Sequence, residues 1–246
     1  MPRFFIAGSN IKGGFAYMRG KDAEHAHVLR IKPGDELVLC DTEGSDYKCR
    51  VVNAGKEELE AEIVEIVPCT SEPGVAASIL CGLPKGSEKA EYIIQKCVEA
   101  GAAEICFFSC ERCVAKADEE KLEAKVYRWR KIAEEAAKQS GRGIIPKVSW
   151  LGDFVAALDY ANKKELVLFC YETGERESLS AALKSKKDAK SIAIITGPEG
   201  GFAPFEADMA RAVGFKICSL GQRILRCETA PLVALSAVMY ETGNLG

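Results

Sequence analysis

No stretch of this 246-residue sequence is apolar for long enough to cross a bilayer, so a helical membrane protein is not expected. The first ten residues, MPRFFIAGSN, carry one basic residue and no extended apolar core; a secretory signal is not expected there, and the cytoplasm is the expected location. Histidine is nearly missing, with His25 and His27 the only two. That leaves the carboxyl-terminal half without a His-based nucleophile triad and deprives most zinc-ligand sets of a member. No G-x-x-x-x-G-K-[ST] loop occurs, GRGIIP at 141–146 lacks the final glycine of G-x-G-x-x-G, and no G-x-S-x-G elbow is present. Nucleoside triphosphates, dinucleotides and serine-hydrolase chemistry are therefore poor fits. Nor is there an excess of positive charge: the formal net charge is -3, so any surface for a polyanion must be local.

Cysteine, by contrast, is plentiful, with eleven in all. An odd number without framework spacing, in a chain this long, suits reduced thiols in a reducing compartment better than disulfides. Only Cys110 and Cys113, in CERC, stand at metal-ligand spacing. With no second pair and both histidines far away, no metal is expected.

Residues 1–66 show short β-like runs (RFFIAG, DELVLCD, DYKCRVVNA, ELEAEIVEIV) and one helical stretch, KDAEHAHVLRI, a pattern that predicts a small β-barrel or sandwich. PCTSEPG at 68–74 reads as a linker, which divides the chain into 1–70 and 75–246. After residue 75, near-continuous apolar strands alternate with helices, which predicts an α/β domain with a mostly parallel sheet covered on both faces. A helix is expected over 88–100, capped by Ser87 and ended by Gly101. From Lys121 to Lys147 eight basic residues face three acids. A helical wheel gathers Lys121, Lys125, Arg128, Lys131, Lys138 and Arg142 on one side, beside an apolar strip containing Trp129 and Ala133. Such a face suits solvent or a phosphate backbone.

Two consecutive strand ends carry the densest chemistry. SIAIITG runs through GPEGGF into a helix whose Pro204 suits the first turn, and KICSLG runs through QRILRCETA into another. Glycines there allow close backbone approach or positive φ, and ligands of such sheets sit beyond the strands' carboxyl ends. Two neighbouring loops of this kind predict a pocket.

The pair GPEGGF (197–202) and SLGQRILRCETA (219–230) resembles the uridine-N3 methyltransferase E family of the small ribosomal subunit, in the SPOUT class. The resemblance extends over HVLRIKPGDELVLCD (27–41), LPKGSEKAEYIIQKCVEAGAAEI (83–105) and RWRKIAEEAAKQSGR (128–142). Cys227 departs from the threonine expected in that last motif, a change that should alter packing more than chemistry. The resemblance implies a PUA-like β-barrel followed by an α/β domain with a carboxyl-terminal trefoil knot, S-adenosylmethionine as methyl donor, a homodimer, and small-subunit (16S) ribosomal RNA, as an assembled 30S subunit, as substrate. It implies Tyr171, Gly197, Glu199, Gly200, Leu220, Gly221, Ile224 and Leu225 as cofactor-binding residues, with Glu172 beside Tyr171.

Methylation at uracil N3 requires a proton to leave and negative charge on the flanking carbonyls to be stabilised. Arg226 is the candidate for the charge, and Glu199 and Glu228 are candidate bases; loop-holding and helix-capping roles are open for the two glutamates, and phosphate binding for Arg226. Arg3, Arg30 and Lys32 of the barrel, with Arg128, Lys131, Lys138 and Arg142, are the candidate RNA contacts. Two other readings stay open: an RNA-binding module without catalysis, and a SPOUT methyltransferase acting on another RNA position.

Overall fold

The computed structural model describes residues 1–114 and 119–245. The chain forms two compact units, Met1–Glu72 with Ala137–Ile145, and Pro73–Ala136 with Pro146–Gly246.

The first unit contains β1 (Arg3–Phe5), β2 (Ile11–Lys12), β3 (Phe15–Arg19), α1 (Lys21–Val28), β4 (Glu36–Cys40), β5 (Ser45–Ala54) and β6 (Glu58–Pro68). Its six strands form one curled sheet in the order β1-β4-β5-β6-β3-β2, antiparallel except for β1 beside β4. Alternate residues such as Ala16, Met18, Leu37, Leu39, Leu59 and Ala61 point to one core, as the two-residue strand period requires. The expected small β-barrel is observed as a curled six-stranded sheet, with β1 and β2 at the two ends of the strand order. The β2–β3 hairpin was not anticipated. Its signal was Gly13–Gly14, whose φ of 58° and 85° suits a two-residue turn between Lys12 and Phe15.

The second unit supplies β7 (Ala76–Gly82), α2 (Ser87–Glu99), β8 (Glu104–Phe108), most of α3 (Glu119–Gln139), β9 (Lys147–Trp150), α4 (Phe154–Ala161), β10 (Leu166–Cys170), β11 (Glu177–Ser178), α5 (Leu179–Lys184), β12 (Ser191–Thr196), α6 (Pro204–Ala212), β13 (Lys216–Ser219) and α7 (Ala230–Glu241). All seven strands are parallel, in the order β11-β13-β10-β12-β7-β8-β9. Every residue of β10 is buried, which is why the central strands read as unbroken apolar runs.

Helix ends follow local chemistry. Gly101, at φ 96°, ends α2, and the Ala102 N–H donates to the Cys97 carbonyl at 2.8 Å. Ser87 does not cap that helix; it is the first helical residue, and Gly86 holds the cap position without a side-chain bond. Gly141, at φ 72°, turns the chain out of α3, so Arg142 lies beyond the helix and off the wheel that grouped it with Lys131. β9 and α4 were also unanticipated, although Asp153 caps α4 by accepting from the Ala156 N–H at 2.9 Å.

One placement matters most for function. β12 and β13 are not neighbours, because β10 runs between them and brings its own carboxyl end to the same place.

Candidate functional site

A cleft of about 450 Å³ opens beyond the carboxyl ends of β10, β12 and β13, walled by Cys170–Glu172, Thr196–Glu199 with Gly201, and Ser219–Glu228. Glycine makes this geometry possible. A Cβ on Gly197 would sit 3.0 Å from backbone atoms of Gly201, and Gly201 itself, at φ 64°, would drive one into the Glu172 carboxylate. Below them, a Cβ on Gly82 would lie 2.6 Å from the Pro198 ring and 2.9 Å from its backbone nitrogen. Gly82→Ala should therefore displace the 197–201 loop, with an overpacking cost of about 1–3 kcal/mol. A lowered denaturation midpoint together with weaker ligand binding in the cleft would bear this out; a wild-type midpoint would show that the loop yields freely.

The loop is anchored by Phe202, which is 1% exposed and packs on Phe169, Phe154 and Phe108 at centroid distances of 4.4, 5.7 and 6.4 Å. Glu206 then starts α6: its carboxylate accepts from the Ala203 N–H at 2.8 Å, and from the Glu111 N–H at 3.0 Å.

Charged side chains stand on each wall: Glu172 after β10, Glu199 after β12, and Arg223, Arg226 and Glu228 after β13. Glu199 accepts from the Lys85 N–H with both oxygens, at 3.1 and 3.2 Å, and from the Lys89 ammonium at 2.5 Å. Partial burial pushes its carboxyl up, but these donors outweigh that and hold it below the usual glutamate range. The depressed folded value means that Glu199 contributes stability above the ordinary carboxylate range, and that this is lost as pH falls through the folded value. Lys89→Met should move Glu199 back up toward an ordinary glutamate, readable as a shifted carboxyl-carbon NMR titration. An unmoved titration would assign the effect to the Lys85 N–H instead.

Glu228 is also lowered: burial acts upward, and its own backbone N–H, the Cys227 thiol, Lys89 and Arg226 act downward more strongly. The Cys227 Sγ lies 3.2 Å from Glu228 Oε2, and burial pushes this thiol up to about 12, so it stays neutral. Arg226 stands at the rim, its side chain 85% exposed and 4.0 Å from Glu228 Oε1.

Of the residues expected at the site, Tyr171, Gly197, Glu199, Leu220, Gly221, Ile224, Leu225, Arg226 and Glu228 all line the cleft. Gly200 does not. It packs against Arg112, whose Nη1 donates to the Gly200 carbonyl at 3.1 Å, and Gly201 takes the place in the wall. Lys89, Arg176 and Arg223 were missed. Lys89 could not have been found from local pattern, since it meets Glu199 across 110 residues of sequence.

The expected RNA contacts divide. Arg30 and Lys32 are exposed in the first unit, and Arg128 and Lys131 are exposed on α3, paired with Glu91 and Glu134. Arg3, Lys138 and Arg142 are instead internal to the first unit. Arg3 forks onto Asp46 at 2.7 Å, Lys138 meets Asp22 at 3.3 Å, and Arg142, 4% exposed, pairs with Glu72. Arg142 is buried and Arg3 and Lys138 are half-buried, each facing a carboxylate of the first unit that offsets the charge it presents to a phosphate.

Comparison with known proteins agrees with this architecture. Residues 71–239 match the family model of an RNA methyltransferase domain, and residues 19–64 that of an RNA methyltransferase PUA domain. The chain is 36% identical to ribosomal RNA small subunit methyltransferase E of Bacillus subtilis, over 91% of this chain and 89% of that one. It is 35% identical to the protein of the same name from Mycobacterium bovis, over 96% and 90%. The crystal structure of ribosomal RNA small subunit methyltransferase E from Neisseria gonorrhoeae bound to S-adenosylmethionine is similar with a TM-score of 0.85 and 28% identity, covering 98% of this chain and 97% of that one.

Proposed function

Because the chain belongs to the ribosomal RNA small subunit methyltransferase E family, we propose that it transfers a methyl group from S-adenosylmethionine to N3 of a uridine in small-subunit ribosomal RNA. The observation that carries this reading is the cleft itself: three adjacent strand ends, a glycine-tight loop, and Arg226 with Glu228 on the rim.

The residues suit the donor. Leu220, Leu225 and Tyr171 offer apolar wall for an adenosine, while Lys89, Arg176, Glu172 and Glu199 offer both charge signs for the amino-acid end. When bound, S-adenosylmethionine supplies an electrophilic methyl group on sulfur. Neutral uracil N3 is a poor nucleophile because it carries a proton and its lone pair is delocalised. Glu228 is assigned the proton: it is held ionised, with the Cys227 thiol 3.2 Å from Oε2 and Arg226 4.0 Å from Oε1. Glu199 is assigned the loop instead, since both its oxygens already accept from Lys85 and Lys89. Arg226 is assigned the charge that develops on the uracil carbonyls, which a planar guanidinium fork can face.

The pairing edge of a base is out of reach in a duplex, so the target uridine is unpaired or flipped out. Arg30, Lys32, Arg128 and Lys131 would hold the flanking backbone by charge and shape. The same reading includes a trefoil knot formed around the β10, β12 and β13 loops, an amino-terminal RNA-binding domain over 1–70 and a catalytic domain over 75–246, an assembled 30S subunit as substrate, and action in the cytoplasm. It also includes a homodimer, for which Ile224, 82% exposed in the cleft wall, is the supporting observation.

The test is transfer of labelled methyl from S-adenosylmethionine to small ribosomal subunits lacking N3-methyluridine, with reverse transcription to map the product. A methyl at N3 blocks pairing, so one new stop is expected. Label without a stop would move the reaction to a ribose or another non-pairing atom. Cofactor binding without label would mean that the substrate was wrong, whereas no cofactor binding at all would favour an RNA-binding role.

A further inference from the structure

The CERC turn that follows β8 is unused by the chemistry above, yet it is built against the cleft. The Cys113 N–H donates to the Cys110 carbonyl at 3.0 Å, closing a four-residue turn. Such a turn keeps its end Cα atoms within about 7 Å, close to the upper limit of disulfide spacing. The two sulfurs are 3.5 Å apart, and the Cys110 N–H donates to Cys113 Sγ at 3.3 Å. Both thiols are partly exposed and line a second, open cavity of about 1050 Å³ with Trp150, Phe154, Phe205 and Met209. A small solute can therefore reach them.

Between the two cysteines sits Arg112, whose Nη1 holds the Gly200 carbonyl and whose Cβ lies 2.9 Å from where a Gly200 side chain would begin. The turn and the cleft loop are thus in direct contact. We propose that Cys110 and Cys113 form a reversible thiol–disulfide site oxidised by low-molecular-weight disulfides, and that closing it loosens the cleft loop through Arg112.

The chemistry balances with a small disulfide such as oxidised glutathione as oxidant. The Cys113 thiolate attacks one sulfur of that disulfide, forming a mixed disulfide and releasing one thiolate. Cys110 then gives up its proton and attacks Cys113 Sγ, expelling the second thiolate. Two protein thiols are oxidised and one small disulfide is reduced to two thiols. Cys113 suits the first role, because the hydrogen bond from Cys110, with backbone N–H groups assisting, overcomes burial and lowers it, while Cys110 is raised by the same pairing.

The other cysteines are worse placed. Cys170 and Cys218 are register partners on β10 and β13 but are buried, and burial pushes Cys81 up to about 12 and Cys106 up to about 11. Cys69, partly exposed, has no cysteine next to it in sequence and is the internal control.

Trypsin gives a direct readout, since cleavage after Arg112 separates Cys110 from Cys113 unless a disulfide joins the fragments 97–112 and 113–116. The full-length protein equilibrated in reduced and oxidised glutathione should yield the joined fragments as the ratio turns oxidising, with Cys69 not linked to another protein cysteine. Amide hydrogen exchange over 197–202 should then be faster, and S-adenosylmethionine should bind about fivefold more weakly or worse. Cys113→Ser, or Cys110→Ala if the first variant folds poorly, should remove all three responses. No joined fragments under oxidising conditions would overturn the site. Joined fragments with unchanged exchange would overturn the coupling. The affinity arm rests on the methyltransferase reading; failure of cofactor binding in both redox states would count against that reading alone, because exchange reports the coupling independently.

Discussion

Arg226→Ala is expected to lower methyl transfer by about a hundredfold to a thousandfold while leaving cofactor affinity within about twofold of wild type. The side chain is 85% exposed and 4.0 Å from the Glu228 carboxylate, so its removal should change stability by no more than about 0.5 kcal/mol. The Arg226 backbone carbonyl, which accepts from the Thr229 and Ala230 N–H groups at 2.9 Å, is untouched by the substitution, and the entry to α7 should survive. The loss would therefore belong to the reaction rather than to folding. Arg226→Lys separates charge from shape: a point charge on a flexible stem should recover part of the rate but not the geometry of a fork. Single-turnover transfer beside a calorimetric cofactor titration distinguishes these cases. An unchanged single-turnover rate in Arg226→Ala would remove the residue from the mechanism, and a lost titration would move it to cofactor binding.

Phe202→Ala should destabilise the second unit by about 3–5 kcal/mol. The ring is 1% exposed and lies among Phe108, Phe154 and Phe169, so truncation leaves a cavity in a core formed by side chains of three elements. The same side chain ends the GPEGGF loop, so the substitution should also release Gly197–Gly201 and weaken cofactor binding. Phe202→Leu, which keeps much of the volume, should restore most of both. Denaturant unfolding should show a lower midpoint at an unchanged slope. Normal cofactor affinity in a destabilised Phe202→Ala protein would mean that Lys85 and Lys89, through Glu199, hold the loop without its anchor.

Much of this was legible because the signals were local. Pro204 and the glycines of GPEGGF marked a strand-to-helix loop, Gly101 marked a helix end, and unbroken apolar runs marked strands buried on both faces. β9 and α4 were hidden in a stretch where Gly and Pro masked short periodic segments, and the β2–β3 hairpin because its strands are only two and five residues long.

What the order of residues could not disclose is which distant groups share a wall. Lys89 reaches Glu199, Arg112 supports Gly200, and β10 separates the two loops that look consecutive in sequence. The basic residues make the same point. Charge pattern placed Lys131, Lys138 and Arg142 on one helical face, whereas folding turned the chain at Gly141 and set Lys138 against Asp22 and Arg142 against Glu72. Residue type and spacing were enough for strands, turns and the family motifs, since these depend on backbone preferences within a few residues. The partners of each charge were settled by packing, because a cation taken out of water must find its carboxylate wherever the fold has put one.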